Sequence, residues 1–418
     1  MSLLLAVAIL LVLTAFLGTL NARYLRLQPS IGLMLLALVM TLGLVALQAT
    51  GIVDDLGWVQ NLVDDLNLSE VLLNGVLCFM LYAGSTGVAF ASLERDRWTI
   101  LTLAIGSTII ACFLTGTLLH LVLGWMGVTL ALSHALVFGA LISPTDPIAA
   151  LAILKAAGLP KRLETIINGE SLFNDGVGVV LFTVFLAYAQ GTGSEGSPLV
   201  LFLREVLGGV GLGAAVGLLI HIVLLRTDDY ATHLLATLGN VALGYSIALQ
   251  IDVSGPIAMV VAGLITGNAT APRMSDDVRA PLATFWSGID DVLNSLLFVM
   301  IGLLVILVRD LDYAPLLKIA PAAILVCLIA RGISVYLPMV GLTATGVLDG
   351  DRNGLTKLLT WGGLRGGLAL ALALSLPQGP SSLVIGEMTL AVVAFSVLVQ
   401  GSTISKLFQP AYLKGLLK

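Results

Sequence analysis

Apolar residues fall along this chain in long unbroken blocks, without the alternating or amphipathic stripes of a water-soluble domain. Thirteen blocks approach the length at which a helix crosses a bilayer, about 20 residues. They lie at roughly 2–20, 31–49, 71–91, 99–125, 130–154, 165–189, 200–225, 233–250, 254–268, 284–308, 316–342, 357–376 and 384–405. Barrel strands would run only about 9–11 residues, so the pattern predicts an all-α polytopic membrane protein with about 13 transmembrane helices. The first block follows Met1-Ser-Leu-Leu-Leu with no basic residue before it. It is longer than the roughly 7–15 apolar residues of a signal peptide and reads as the first span.

Composition narrows the class. Of 418 residues, 58% are hydrophobic and 11% charged, against about 25% charged in a soluble domain. Soluble, disordered and nucleic-acid-binding classes are excluded, and the lipid bilayer becomes the solvent. The net charge of −5 says less than the placement of the basic residues. With the N-terminus outside and the C-terminus inside, 15 of the 20 Lys and Arg fall in inner loops or the tail. Only Arg204, Arg309 and Lys318 fall outside, as the positive-inside rule asks. An odd span count lets two six-span halves flank a linker span as inverted repeats, a secondary-transporter architecture. Cys78, Cys112 and Cys327 have no metal-site spacing, and His120, His134, His221 and His233 read as interfacial.

Ionisable residues inside spans are rare and usually functional. The fifth block holds Ser143-Pro144-Thr145-Asp146-Pro147. Its prolines interrupt the helix, leaving carbonyls, the Thr145 hydroxyl and Asp146 at a depth where only protein or a wet cavity tolerates them. The plainer alternative is a kinked helix capped by Asp146. The sixth block holds Asn168-Gly-Glu170-Ser171-Leu-Phe-Asn174-Asp175-Gly176-Val-Gly178. Glu170 and Asn174 are four apart, as are Ser171 and Asp175, so the four share a broad helical face of hard oxygen ligands. Arg331 and Arg365 also lie within blocks, the latter in Trp361-Gly-Gly-Leu-Arg365-Gly-Gly, a run that its glycines loosen into non-helical backbone. A lone buried charge is costly, so each arginine is expected to meet an acid, with Glu170 and Asp146 as candidates. Asp175 is then left free to bind either H⁺ or a metal cation, the minimal chemistry of an exchanger. Asp290 and Asp291 begin the tenth block ahead of Asn294 and Ser295; they are either solvated at the interface or line a funnel that concentrates cations.

These residues resemble the NhaP-type sodium/proton antiporters, bacterial relatives of the animal sodium/proton exchangers. The matching stretches are Ser143–Pro147, Gly169–Gly178, Phe285–Gly302 and Gly362–Gly367. The resemblance implies one membrane transport domain over 1–410, with a short cytoplasmic tail at 411–418. It implies a homodimer in the cell's inner (plasma) membrane, held by spans 1–3 and 7–10, while a core of spans 4–6 and 11–13 moves like an elevator. The unwound fifth and twelfth spans would cross at mid-membrane. Asp175 would bind Na⁺ or H⁺, Ser171 and the Thr145 backbone would add oxygens, and Asn174 would organise the site. Glu170 would pair with Arg331, or alternatively with Arg365. The Asn174-Asp175 pair resembles the electroneutral, one-to-one branch. The cargo would be Na⁺ (or Li⁺ or K⁺) and H⁺, with no cofactor. Two departures stand out. The third block reads Met80-Leu-Tyr82-Ala83-Gly84, without the acid or histidine several relatives place there, and the 11 residues after Leu407 are too few for the regulatory tail of animal exchangers. The rival readings are a cation channel or uncoupled pathway, and a membrane enzyme with Glu170 and Asp175 as acid and base. Neither finds its own signature here, since no filter-like repeat, HExxH or nucleophile elbow occurs.

Overall fold

The computed structural model describes residues 3–50, 71–191, 197–303 and 313–416. Asp54, Asp55, Asp64 and Asp65, which fall between the second and third apolar blocks, lie outside the described residues, as do Arg309 and Lys418. Helices occupy the apolar blocks, and no strand occurs among the described residues. In chain order they are α1 (Leu3–Leu20), α2 (Pro29–Ala49), α3 (Leu77–Thr86) and α4 (Thr108–Trp125). The half-helices α5 (Leu132–Ile142) and α6 (Ile148–Ala156) follow, then α7 (Lys161–Ala189), α8 (Pro198–Leu224), α9 (Tyr230–Gln250) and α10 (Gly255–Ile265). The chain continues with α11 (Asp276–Leu303), α12 (Tyr313–Ala344), the half-helices α13 (Arg352–Gly362) and α14 (Gly367–Leu374), and α15 (Pro380–Phe395). Among the described residues, nine helical stretches are long and apolar enough to cross a membrane, while Val71–Thr86 and α5 are shorter apolar helices. Over the described residues every predicted block is thus mainly helical, and the fifth and twelfth are each split in two.

Local chemistry marks the helix starts. Proline stands in the first turn of α2, α8, α10 and α15, where no helical donor is lost. Asp229 caps α9, accepting from the Thr232 N–H and hydroxyl at 2.7 Å each. In that exposed turn between α8 and α9, the same bonds hold the Asp229 carboxyl below its ordinary range.

Packing separates two groups of helices. The first joins α4, α5, α7, α12 and α15, with α13 against α12 and α14 against α15. In the second, α11 packs on α2 and α3, and α10 packs on α3, α8 and α9. α7 touches both, reaching α8 and α10 as well as α5. Lipid gives no hydrophobic drive between helices, so close van der Waals fit holds such a bundle together. One glycine shows how close that fit is. α7 passes so near the α5–α6 junction that a Cβ on Gly178 would overlap the Pro144 ring. Gly178→Ala is therefore expected to cost about 1–3 kcal/mol through overpacking, measured as a lower thermal midpoint in detergent. Gly124→Ala, with nothing within 4 Å of its Cβ, is the control. Equal midpoints for the two variants would show that Pro144 yields freely.

Candidate functional site

The site begins with two interruptions of helical hydrogen bonding. In a continuous helix the carbonyls of Ala140 and Ser143 would accept from residues 144 and 147, but both are prolines without an N–H. α5 accordingly stops at Ile142 and α6 starts at Ile148. In the twelfth block Gly362, Gly363, Gly366 and Gly367 loosen the chain between α13 and α14. The two extended stretches cross: the Asp146 N–H donates to the Leu364 carbonyl at 2.8 Å, in an isolated antiparallel bridge. A Cβ on Gly366 would overlap the Asp146 side chain, so glycine permits this approach.

Charges answer the exposed helix ends. Arg365 donates through Nη1 to the carbonyls of Ser143 at 2.5 Å and Pro144 at 2.8 Å, placing a cation at the negative end of α5. Its backbone N–H donates to Ser396 Oγ at 2.8 Å. Asp146 Oδ1 accepts from the Ile148 N–H at 2.9 Å, an anion at the positive end of α6. The expectation that each buried arginine meets an acid is corrected here. Among the described residues Asp146 forms no ion pair, and Arg365 serves two carbonyls at the broken end of α5, of which Ser143 loses its helical partner to Pro147. Arg331 does meet an acid. Its Nη2 donates to Glu170 Oε1 at 2.6 Å and to the Leu359 carbonyl at 3.3 Å, and both side chains are buried. Ser107 Oγ lies 3.4 Å from its Nη1.

α7 fastens the first break from the other side. Ser171 Oγ donates to the Thr145 carbonyl at 2.8 Å, and Asn174 Nδ2 donates to Thr145 Oγ1 at 2.9 Å. The buried Asn174 Oδ1 has no partner among the described residues. One helical turn past Ser171, Asp175 has no hydrogen bond or ion pair among the described residues and faces a cavity of about 370 Å³.

That cavity sorts the sequence-predicted residues. Asp175, Ser171, Asp146 and Asp290 line it. Thr145, Asn174, Glu170, Arg331 and Arg365 lie behind it, in the framework that holds the breaks. Asp290 Oδ1 accepts from Asn294 Nδ2 at 3.1 Å, whereas Asp291, one residue on, is exposed and does not reach the cavity. A funnel role is thus left to Asp290 of that pair. From the third block Met80 and Gly84 line the wall, and Ala83 is buried. No group of three or more His, Cys, Asp or Glu suited to a resident metal occurs among the described residues.

Sequence reasoning missed two ion pairs. Arg162 binds the buried Asp96 through Nε at 2.9 Å and Nη2 at 2.7 Å, joining the start of the helical stretch Arg97–Trp125 that leads into α4 to the start of α7. Lys155 Nζ lies 2.7 Å from Glu164 Oε1, and both residues line the cavity. In sequence the only signal was an acid beside each cluster of basic loop residues.

A helical membrane bundle with two interrupted helices crossing beside a carboxylate-lined cavity has the construction of a secondary transporter. Residues 11–409 match the sequence model of the transmembrane sodium/hydrogen exchanger family. The Na⁺/H⁺ antiporter NhaP of Pseudomonas aeruginosa is 39% identical over 97% of this chain and 96% of its own. The Na⁺/H⁺ antiporter NhaH of Halobacillus dabanensis is 36% identical over 77% of this chain and 78% of its own. The structure of the sodium/proton antiporter MjNhaP1 from Methanocaldococcus jannaschii superposes with a TM-score of 0.77 at 19% identity. It covers 100% of this chain and 99% of that one, a likeness of fold. The chain belongs to the sodium/hydrogen exchanger family, whose members are transporters and not enzymes and carry ions as cargo, without a cofactor.

The buried pair gives a stability test. Arg331→Met strands Glu170 without a partner, an expected loss of about 3–5 kcal/mol, measured as the thermal midpoint in detergent. Glu170→Gln combined with Arg331→Met removes both charges and is expected to recover part of the loss. A double variant no more stable than Arg331→Met would show that packing, not the stranded charge, sets the cost.

Proposed function

We propose that this protein exchanges Na⁺ for H⁺ one for one, with Asp175 as the site that both ions share. The observation that carries the reading is the Asp175 carboxylate itself. It faces the cavity beside the crossing of the two breaks, and no protein group among the described residues neutralises it. Ser171 supplies a further ligand: its hydroxyl donates to Thr145 and keeps oxygen lone pairs for a cation. The Thr145 carbonyl, with a second lone pair, is the next oxygen back. Asn174 organises the break and carries no charge, so the Asn174-Asp175 pair balances one positive charge at a time.

Coupling follows from electrostatics. With Na⁺ or H⁺ bound, Asp175 is neutral in sum and can pass the dry barrier. Empty, it is a bare carboxylate whose burial costs several kcal/mol or more, and it stays where it is. Li⁺ and K⁺ compete for the same oxygens, with cavity size deciding among them.

The architecture supports alternating access. If thirteen blocks cross the membrane with the N-terminus outside, the breaks fall in the fifth span of each six-span half. Such corresponding interruptions are the mark of inverted repeats. The helices around α4–α7 and α12–α15 then form the moving core, and the remaining helices form the scaffold of a homodimer in the plasma membrane. The cavity reaches Lys155 and Glu164, beside the basic 155–162 segment that the positive-inside rule makes cytoplasmic.

In proteoliposomes holding a pH gradient, added Na⁺ is expected to dissipate the gradient equally with and without a K⁺/valinomycin voltage clamp. Asp175→Asn is expected to abolish the response. Ser171→Ala should raise the apparent KM for Na⁺ several-fold. A folded wild-type protein with no Na⁺-dependent proton flux, or a flux that survives in Asp175→Asn, would sink the reading.

A further inference from the structure

Among the described residues, five charged side chains line the cavity. Four are carboxylates, Asp146, Glu164, Asp175 and Asp290, and one is the ammonium of Lys155. Lys155 stands in the last turn of α6 and Glu164 in the first turn of α7. The link between them is short and fixed: Gly158 takes a φ of +81°, its N–H donates to the Lys155 carbonyl, and the Leu159 N–H donates to the Leu154 carbonyl. Lys155 and Glu164 therefore face each other across the cavity mouth, with Nζ 2.7 Å from Oε1. Their side chains are 48% and 31% exposed, and ion pairs this wet contribute little to stability. The neighbouring Arg162 is engaged by Asp96 and does not line the cavity.

Glu164 also begins a path. Glu164, Asn168, Ser171 and Asp175 all line the cavity, and their spacing of four, three and four residues puts them on one helical face. At 1.5 Å per residue the stripe covers about 16 Å, from the mouth to the binding carboxylate. A cation moving inward meets one oxygen after another on a single rigid helix, and the first of them already holds an ammonium.

We propose that Glu164 is the recruitment site for the transported cation and that Lys155 is its tethered competitor, so that this pair sets the apparent affinity for Na⁺ from the cavity side. The inference rests on the exchange reading above and deepens it. Removing the Lys155 charge frees Glu164 and makes the cavity one unit more negative, so KM falls. Removing the Glu164 charge leaves Lys155 unopposed, so KM rises. Removing both restores the original sum. Over about 16 Å at an effective dielectric of 20–40, one unit charge corresponds to a change of roughly two- to sixfold.

The test measures Na⁺-dependent dissipation of a pH gradient at low ionic strength. It compares wild type with Lys155→Gln, Lys155→Arg, Glu164→Gln and the double Lys155→Gln/Glu164→Gln variant. Lys155→Gln is expected to lower KM and Glu164→Gln to raise it. Lys155→Arg, which keeps the charge, should stay close to wild type, and the double variant, which keeps the charge sum but loses the recruiting carboxylate, should fall between the two single variants. Choline chloride should compress these differences, since it screens charge without serving as cargo. Both single variants shifting KM in the same direction, or neither shifting it while exchange persists, would overturn the proposal, as would an equal shift in Lys155→Arg and Lys155→Gln. Absence of exchange in the wild type would instead reject the exchange reading on which it stands.

Discussion

A backbone carbonyl or N–H without a partner inside a membrane costs several kcal/mol, so a broken helix survives there only if its loose ends are answered. The rest of this structure depends on that constraint at one place, the crossing of the Ser143–Pro147 and Gly363–Gly366 stretches. Proline removes donors on one side, and glycine lets the backbone approach on the other. Arg365 then covers carbonyls at the break, Asp146 caps the opposite half-helix, and one backbone bond from Asp146 to Leu364 ties the two stretches together.

Each charge behind the cavity is thereby committed. Arg331 belongs to Glu170 and Arg365 to carbonyls, while the uncharged Asn174, and Ser171 on the cavity wall, are bonded to Thr145. Asp175 is the exception, and its freedom has meaning because its neighbours are not free. A competing arginine within reach would neutralise it permanently and leave nothing for a transported ion to do. The framework that makes the break tolerable in lipid also leaves the Asp175 carboxylate available for the proposed exchange.

Much of this was legible in the sequence. Block length gave the helices, and the prolines at 144 and 147 and the glycines around Arg365 marked both breaks. Glu170 and Asp175 stood out as acids where acids are rare. The partners were harder to read. Arg365 was expected to face an acid because charge balance is visible in a sequence, whereas the direction of an orphaned carbonyl is not. Asp290 and Asp291 are adjacent, and only the rotation of α11 against its neighbours decides which one reaches the cavity. Helix ends were missed wherever they were polar. α11 begins at Asp276, earlier than the hydropathy of its block suggests, because turns outside the lipid need no apolar residues. The Asp96–Arg162 pair joins residues far apart in the chain, and no local spacing announces it.

In the proposed exchange one carboxylate binds Na⁺ or H⁺ and never both. Calorimetry of Na⁺ binding to the purified protein, repeated in buffers of different ionisation enthalpy, tests it directly by counting the protons released. The expected result is proton release that approaches one per bound Na⁺ toward the acidic end of the binding range, with both binding and release lost in Asp175→Asn. Na⁺ binding that releases no proton at any pH would contradict the account.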